Sequence, residues 1–234
     1  PEAVKTFLGI FPDVDSACTA VSAVIGHGIV PAALEMIDAL SIRAVQKVMD
    51  AGYPDDAGAV LLIELEGLQE EVDEIGAEVE AALWESGPTQ VRTAEKAEDR
   101  DILWGGRKGA LGALGSLAPN YYLVDGVVPR TQLTQVLRRV AEISQEHGIP
   151  IANVFHAGDG NLHPCLLFDE RKPGAMEAIV ACGAEVMKVC VDAGGTLTGE
   201  HGVGLEKKEL MPLVYSEEDM EAMRLVREAF APEN

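Results

Sequence analysis

His156 and His163 flank an Asp-Gly pair in the string NVFHAGDGNLHP at residues 153–164. Asp159-Gly160 between two strand-like runs predicts a hairpin closed by a two-residue type I′ turn. That register sets Gly158 against Asn161, Ala157 against Leu162 and His156 against His163. Both imidazoles then share one face of the sheet, with Cβ atoms about 4.5–5.5 Å apart. Two neutral imidazoles at that spacing can ligate one divalent ion. Taken alone, the motif is equally compatible with a cross-strand pair bonded to water or to Asp159.

A second polar cluster lies in GGTLTGEHGVG at residues 194–204. Its five glycines do nothing for a core, but they let backbone approach a ligand closely, and Glu200 and His201 sit in their midst. The spacing is not the dinucleotide fingerprint, so no Rossmann phosphate cradle is expected. Together His156, His163 and Glu200 form a two-histidine, one-carboxylate set for a divalent metal such as Zn, Mn or Fe, with positions left open for substrate. His201 is left over as an imidazole, the side-chain type suited to proton removal near neutrality. It is not expected as a fourth ligand, because adjacent residues rarely aim both side chains at one ion. A third feature is the run of Gly106, Gly109, Gly112 and Gly115, which calls for a close neighbour, either backbone or a flat ligand. Arg107 and Lys108 lie within it. They are either solvated charges or, for Arg107, a fork matched to a substrate carboxylate.

The elements that must position these groups repeat one order twice. Residues 5–11 read as a strand, 13–27 as a helix, 29–37 as a strand and 41–51 as a short helix. A strand at 59–66, a helix at 68–85 and a short strand at 89–92 follow. The second round comprises a strand at 122–128, a helix at 131–147, strands at 151–156 and 163–168, a helix at 174–193 and a short strand at 196–198. Each half is a split βαβ, ferredoxin-like unit. The expected fold class is therefore α+β: duplicated ferredoxin-like units with mostly antiparallel sheet, plus C-terminal helices. The last of these is a helix at 217–230 opened by a capping box of Ser216 and Asp219. The corresponding division is a first half at 1–94, a Gly-rich connection at 95–121 and a second half at 122–234.

Composition narrows the function classes. Of 234 residues 47% are apolar, enough for a sizeable core, and 18 Lys and Arg against 39 Asp and Glu give a net charge of −21. Such a chain repels phosphate backbones and anionic lipid, which argues against nucleic-acid binding. No apolar run approaches the ~20 residues of a membrane span, and the first residues lack a charged-then-apolar leader. Cys18, Cys165, Cys182 and Cys190 form no CxxC pair and read as structural thiols of a reducing, cytoplasmic protein. The absence of an initiator Met suggests an internal fragment. Between Glu64 and Glu85 there are nine acidic residues and no basic one, read as a solvated helix face or a docking surface for a basic partner.

The strings NVFHAGDGNLHP and GGTLTGEHGVGLEKK, preceded by WGGRKGA at 104–110 and YYLVDGVVPR at 121–130, resemble the C-terminal half of FAD-linked oxidases of the vanillyl-alcohol oxidase type. The likeness is greatest to the branch that oxidises glycolate and D-lactate, and it runs from about Trp104 to Phe230. The resemblance implies that His156, His163 and Glu200 hold the metal, that His201 is the general base and that Arg107 holds the substrate carboxylate. Relatives that use dicarboxylates carry a lysine two residues before the Asp of the YxxD-like strand. Leu123 stands there, before Asp125, which weighs against a dicarboxylate. The family's FAD-binding domain and its Leu-Asn-Pro-Gly-Lys ending have no counterpart, the chain closing on Pro232, Glu233 and Asn234. By this likeness the chain is the substrate-binding cap of a larger flavoenzyme, inactive alone, with FAD bound mainly by an N-terminal domain. An iron–sulfur partner subunit is also implied.

The reading that follows is oxidation of a small 2-hydroxy acid by hydride transfer from Cα to flavin, with metal-assisted removal of the hydroxyl proton. The alternatives are a metal-dependent hydrolase, in which Glu200 or His201 activates a bound water, and a non-catalytic assembly subunit.

Overall fold

The computed structural model describes residues 2–231; the expected departure at the Pro232 to Asn234 ending lies outside them. The first half runs β1 (Ala3–Phe11), α1 (Val14–Gly26), β2 (Ala33–Asp38), α2 (Ala39–Gln46), β3 (Ala59–Gly67), α3 (Gln69–Glu85) and β4 (Gln90–Ala94). The connecting helix α4 (Ala97–Ala113) leads to β5 (Asn120–Leu123), β6 (Gly126–Val127) and α5 (Leu133–His147). There follow β7 (Ile151–His156), β8 (Asn161–Leu162), β9 (Pro164–Phe168), α6 (Ala175–Asp192) and α7 (Glu217–Phe230).

The first half has strand order β4-β1-β3-β2, all antiparallel, and the second continues the sheet through β7, β8 and β6. The seam is β2 against β7, with Glu35 opposite His156 and Ile37 opposite Val154. Both ferredoxin-like halves thus join through their second strands, and the expected α+β class with antiparallel sheet is what the chain adopts.

Helices cover both faces, which explains why β1 and β3 read as continuous rather than alternating apolar runs. Phe7, Phe11, Leu61 and Ile63 pack under α1 and α3, and the same apolar layer continues through Phe155 and Leu166 under α5 and α6. Leu8, Ile10, Val60 and Leu62 pack under α2 and α4. By strand alternation Glu35 and His156 share the second face with Ile37 and Val154. Asp38 fixes the seam: its carboxylate caps α2 at the Ser41 amide and accepts from the Asn153 amide and side chain across it.

The hairpin differs from the expected register. Ile151 pairs with Leu166, Asn153 with Pro164 and His156 with Asn161, so four residues, Ala157 to Gly160, form the loop. A type I′ turn would need positive φ at Asp159 as well as at Gly160, yet only Gly160 has it, at 72°. A Cβ on Gly160 would also lie 2.2 Å from the Val128 carbonyl oxygen, so the loop is pinned against the end of β6. The displacement is two residues, an even number, and it leaves both histidines on one face.

Two other expectations change in detail. The strand expected at 122–128 is broken into β5 and β6, which pair with β9 and β8 respectively. At 196–198 only a single bridge forms, Thr196 to Val127. The capping box of Ser216 and Asp219 opens α7 as expected. All four cysteines are buried free thiols. Among the described residues no helix is long and apolar enough to cross a membrane.

Candidate metal and catalytic site

His156 ends β7 and His163 follows β8, one strand over and two residues along from the residue opposite His156. Their ring centroids are 5.2 Å apart at 81°. The loop after α6 brings Glu200 to both: its Oε1 lies 3.1 Å from His163 Nε2 and 3.5 Å from His156 Nε2. One ligand atom from each of His156, His163 and Glu200 falls within 4.8 Å of the others. The three expected ligands therefore converge from two distant segments.

The donor set fits a divalent cation on a further observation. His163 Nε2 is buried and makes no hydrogen bond, its contact with Glu200 lacking the alignment of one. A buried polar atom without a partner costs roughly 1–3 kcal/mol, a cost that a ligand atom removes. His156 is oriented from behind, with Nδ1 2.7 Å from Glu35 Oε1. A carboxylate on the far nitrogen is the arrangement that fixes the ring of a metal-ligating histidine and raises its basicity. The Glu35 hydrogen bond pushes the His156 pKa up, against the opposing effect of burial. Burial pushes that of His163 down, with the neighbouring His156 acting in the same direction.

His201 also faces the cluster. Its Nε2 is 3.4 Å from Glu200 Oε1, and its ring stacks on His163 at 5.0 Å and 21°. The adjacent Glu200 and His201 side chains thus approach each other, but their ligand atoms fall in two separate groups, His156, His163 and Glu200 in one and Asp125, His163 and His201 in the other. The backbone curls here: Gly199 lies so near Asn161 that a Cβ would sit 2.5 Å from its side chain, and Gly202 has φ 79°.

Arg107 is not a free fork. Its Nε and Nη2 both donate to Glu35 Oε2, at 3.1 and 2.7 Å, and both side chains are largely buried. Only Nη1 has no hydrogen bond among the described residues. The glycine run of α4 meets close packing mainly at Gly106, where a Cβ would lie 2.5 Å from Tyr53 Oη and 2.7 Å from the Ala51 Cβ; Gly112 and Gly115 face open space. The close neighbour at Gly106 is protein.

Sequence reasoning missed Glu35 and gave Asp125 and Lys207 no role. Of the three, only Asp125 carries a visible signal, a lone charge in an apolar run (YYLVDGVV); Lys207 is one of four consecutive charged residues, and nothing near Glu35 marks it for the site. Asp125 is fully buried and accepts from Thr198 Oγ1 and from the Gly199 and His201 amides at 2.7–3.0 Å. Lys207 Nζ, also buried, donates to its Oδ2 at 3.1 Å.

The chain matches the family model described as FAD linked oxidases, C-terminal domain, over residues 1–234. It is 41% identical over 233 residues to the glycolate oxidase subunit GlcD of Escherichia coli K12, covering 100% of this chain and 47% of that protein. The Bacillus subtilis glycolate oxidase subunit GlcD is 36% identical over 234 residues, with coverage of 100% and 50%. The chain thus spans about half the length of these curated relatives. Among solved structures, p-cresol methylhydroxylase with substrate bound superposes with a TM-score of 0.77 at 15% identity, covering 100% of this chain and 52% of that one. At that identity the likeness concerns the fold alone.

Proposed function

This chain belongs to the family of FAD linked oxidase C-terminal domains, and from that premise we propose that it is the substrate-binding cap of an FAD-dependent oxidase or dehydrogenase acting on a small 2-hydroxy acid of the glycolate or D-lactate type. The observation that carries the reading is the meeting of His156, His163 and His201 Nε2 atoms within 3.5 Å of one carboxylate oxygen, Glu200 Oε1. Such a set suits a reaction in which a hydroxyl proton must leave before or with the α-hydrogen.

When bound, a divalent cation supplies polarisation of the substrate hydroxyl, and the flavin supplies the hydride acceptor. His156, His163 and Glu200 are the proposed ligands, His156 held in its ligating orientation by Glu35. His201 Nε2 is the proposed base: it takes the α-hydroxyl proton as the C–H bond breaks. Arg107 keeps Nη1 for the substrate carboxylate while its other two nitrogens hold Glu35, so a single guanidinium links the substrate's orientation to that of His156. Leu123 offers no cation for a second carboxylate, which favours a monocarboxylate.

In the proposed whole protein, the halves at 1–94 and 122–234, joined by 95–121, form one cap over an FAD-binding domain. The relatives are named as subunits, which supports partner chains, an iron–sulfur subunit being the one the resemblance implies. The four buried free thiols suit the cytoplasm. The test is element analysis and anomalous scattering on the full-length flavoprotein, together with His156→Ala. The substitution is expected to abolish metal content and turnover with an unchanged circular dichroism spectrum. Full turnover by metal-free protein, or hydrolytic activity without flavin, would overturn the reading.

A further inference from the structure

Asp125 lies outside the proposed ligand set, yet more bonds converge on it than on any ligand. Its Oδ1 accepts from the amides of Gly199 at 3.0 Å and Glu200 at 3.4 Å. Its Oδ2 accepts from the His201 amide at 3.0 Å and from Thr198 Oγ1 at 2.7 Å. Thr198 Oγ1 in turn accepts from the Gly202 amide at 2.8 Å, closing the loop on itself. Lys207 Nζ, six residues past His201, returns to Asp125 and donates to both its carboxylate and its backbone oxygen at 3.1 Å.

We propose that Asp125 is the positioning residue of this site: by gathering three consecutive amides, it makes the adjacent Glu200 and His201 side chains approach each other, with Lys207 as its fixed counter-charge. The assignment to catalysis rests on the function proposed above; the positioning itself does not.

The physical argument starts from strand geometry. In extended backbone, successive side chains point to opposite faces, so Glu200 and His201 would diverge. Three successive N–H groups turned on one anion require a curled backbone, a nest, in which the amides line the inside. The anion that fills the nest belongs to the protein, so the curl exists without substrate. Burial of Asp125 is tolerable because hydrogen bonds and the Lys207 ammonium neutralise it. The same pairing keeps it from acting as a ligand. Asp125, His163 and His201 also place ligand atoms within 4.8 Å of one another, but both Asp125 oxygens are already engaged. His163 Nε2 is 3.7 Å from Oδ1.

The experiment uses the full-length flavoprotein with Asp125→Asn. An amide side chain keeps the shape but turns a donor toward groups that are all donors. Hydrogen exchange of the Gly199, Glu200 and His201 amides is expected to accelerate at least about tenfold, with β7 and β9 unchanged. Affinity for Zn²⁺, titrated into metal-stripped protein, is expected to fall about 10–100-fold, and kcat to fall with KM changed less than about twofold. Unchanged exchange at the three amides, or a uniform rise across the sheet with unaltered Zn²⁺ affinity, would overturn the proposal. Should that variant fail to fold, Thr198→Val removes the 2.7 Å bond to Asp125 together with the one accepted from the Gly202 amide, and it is expected to accelerate exchange at the Gly199, Glu200 and His201 amides in the same way. Lys207→Met separates positioning from ligation: weaker Zn²⁺ binding supports the proposal, whereas tighter binding would reveal Asp125 as a restrained ligand and overturn it. A wild-type protein that binds no Zn²⁺ would defeat the proposed function, while the exchange measurement would still decide the positioning.

Discussion

Glu35 Oε1 lies 2.7 Å from His156 Nδ1, although the two residues are 121 positions apart and belong to different halves of the fold. The contact exists because β2 and β7 are neighbours and these residues are directly opposed. The other Glu35 oxygen holds Arg107. One carboxylate therefore fixes both a proposed ligand and the proposed substrate anchor.

Glu35→Gln should accordingly impair two properties at once. The neutral side chain no longer stabilises the proton on His156 Nδ1, and Zn²⁺ affinity should fall about 10–100-fold. It also strips the counter-charge from a largely buried Arg107, which should cost about 3–5 kcal/mol of stability. Competition with a chelator measures the first and urea unfolding the second. Unaltered Zn²⁺ affinity would show that the contact does not orient His156 for ligation.

His201→Asn separates base from ligand. If His201 only removes the proton, Zn²⁺ content stays stoichiometric while kcat falls about 10²–10⁴-fold, the usual contribution of a general base. Element analysis beside steady-state kinetics reads both. Loss of the metal would place His201 among the ligands instead.

Much of this site is legible in the sequence because its parts are local. The hairpin histidines are signalled by an Asp-Gly pair whose turn type differs from the expected one, and they still share one face because a shift of two residues preserves strand parity. Glu200 was legible from its glycines, whose job is close backbone approach. Glu35 was not legible: nothing in residues 33–38 states that their strand will lie beside β7, since the seam between two equivalent sheets is decided by tertiary packing. Asp125 stands in plain view in an apolar run, between β5 and β6. Its meaning depends on a loop 74 to 76 residues later, beyond the reach of local periodicity.

Acid stability offers a check on Asp125 that needs no ligand. Burial alone would raise its pKa, but the Thr198 hydroxyl, the His201 and Gly199 amides and the Lys207 ammonium outweigh it and hold the carboxyl well below its ordinary value. A folded pKa below the unfolded one, about 3.9, stabilises the protein fully above that pH and progressively less as the pH falls toward the folded value. The stability gap between wild type and Asp125→Asn should be widest at pH 6–7 and narrow below about pH 4. Urea midpoints measured along that series give the answer, and a gap independent of pH would contradict an ionised, bonded Asp125.

The glycines of α4 give a matched pair of substitutions. At Gly106 a Cβ would fall 2.5 Å from Tyr53 Oη, whose hydroxyl donates to the Leu103 carbonyl at 2.7 Å. Neither the buried ring nor Ala51 can yield without moving α4, so Gly106→Ala should cost about 1–3 kcal/mol, the usual range for overpacking. At Gly112 nothing lies within 4 Å of the added carbon, and Gly112→Ala should stabilise the helix by about 0.5–1 kcal/mol. Arg107 follows Gly106 directly, so the displacement that relieves the clash also moves the guanidinium off Glu35. In the proposed full-length oxidase Gly106→Ala should therefore raise KM for the proposed hydroxy-acid substrate, while Gly112→Ala leaves it unchanged. Equal stability of the two variants would mean that the Tyr53 contact does not set the position of α4.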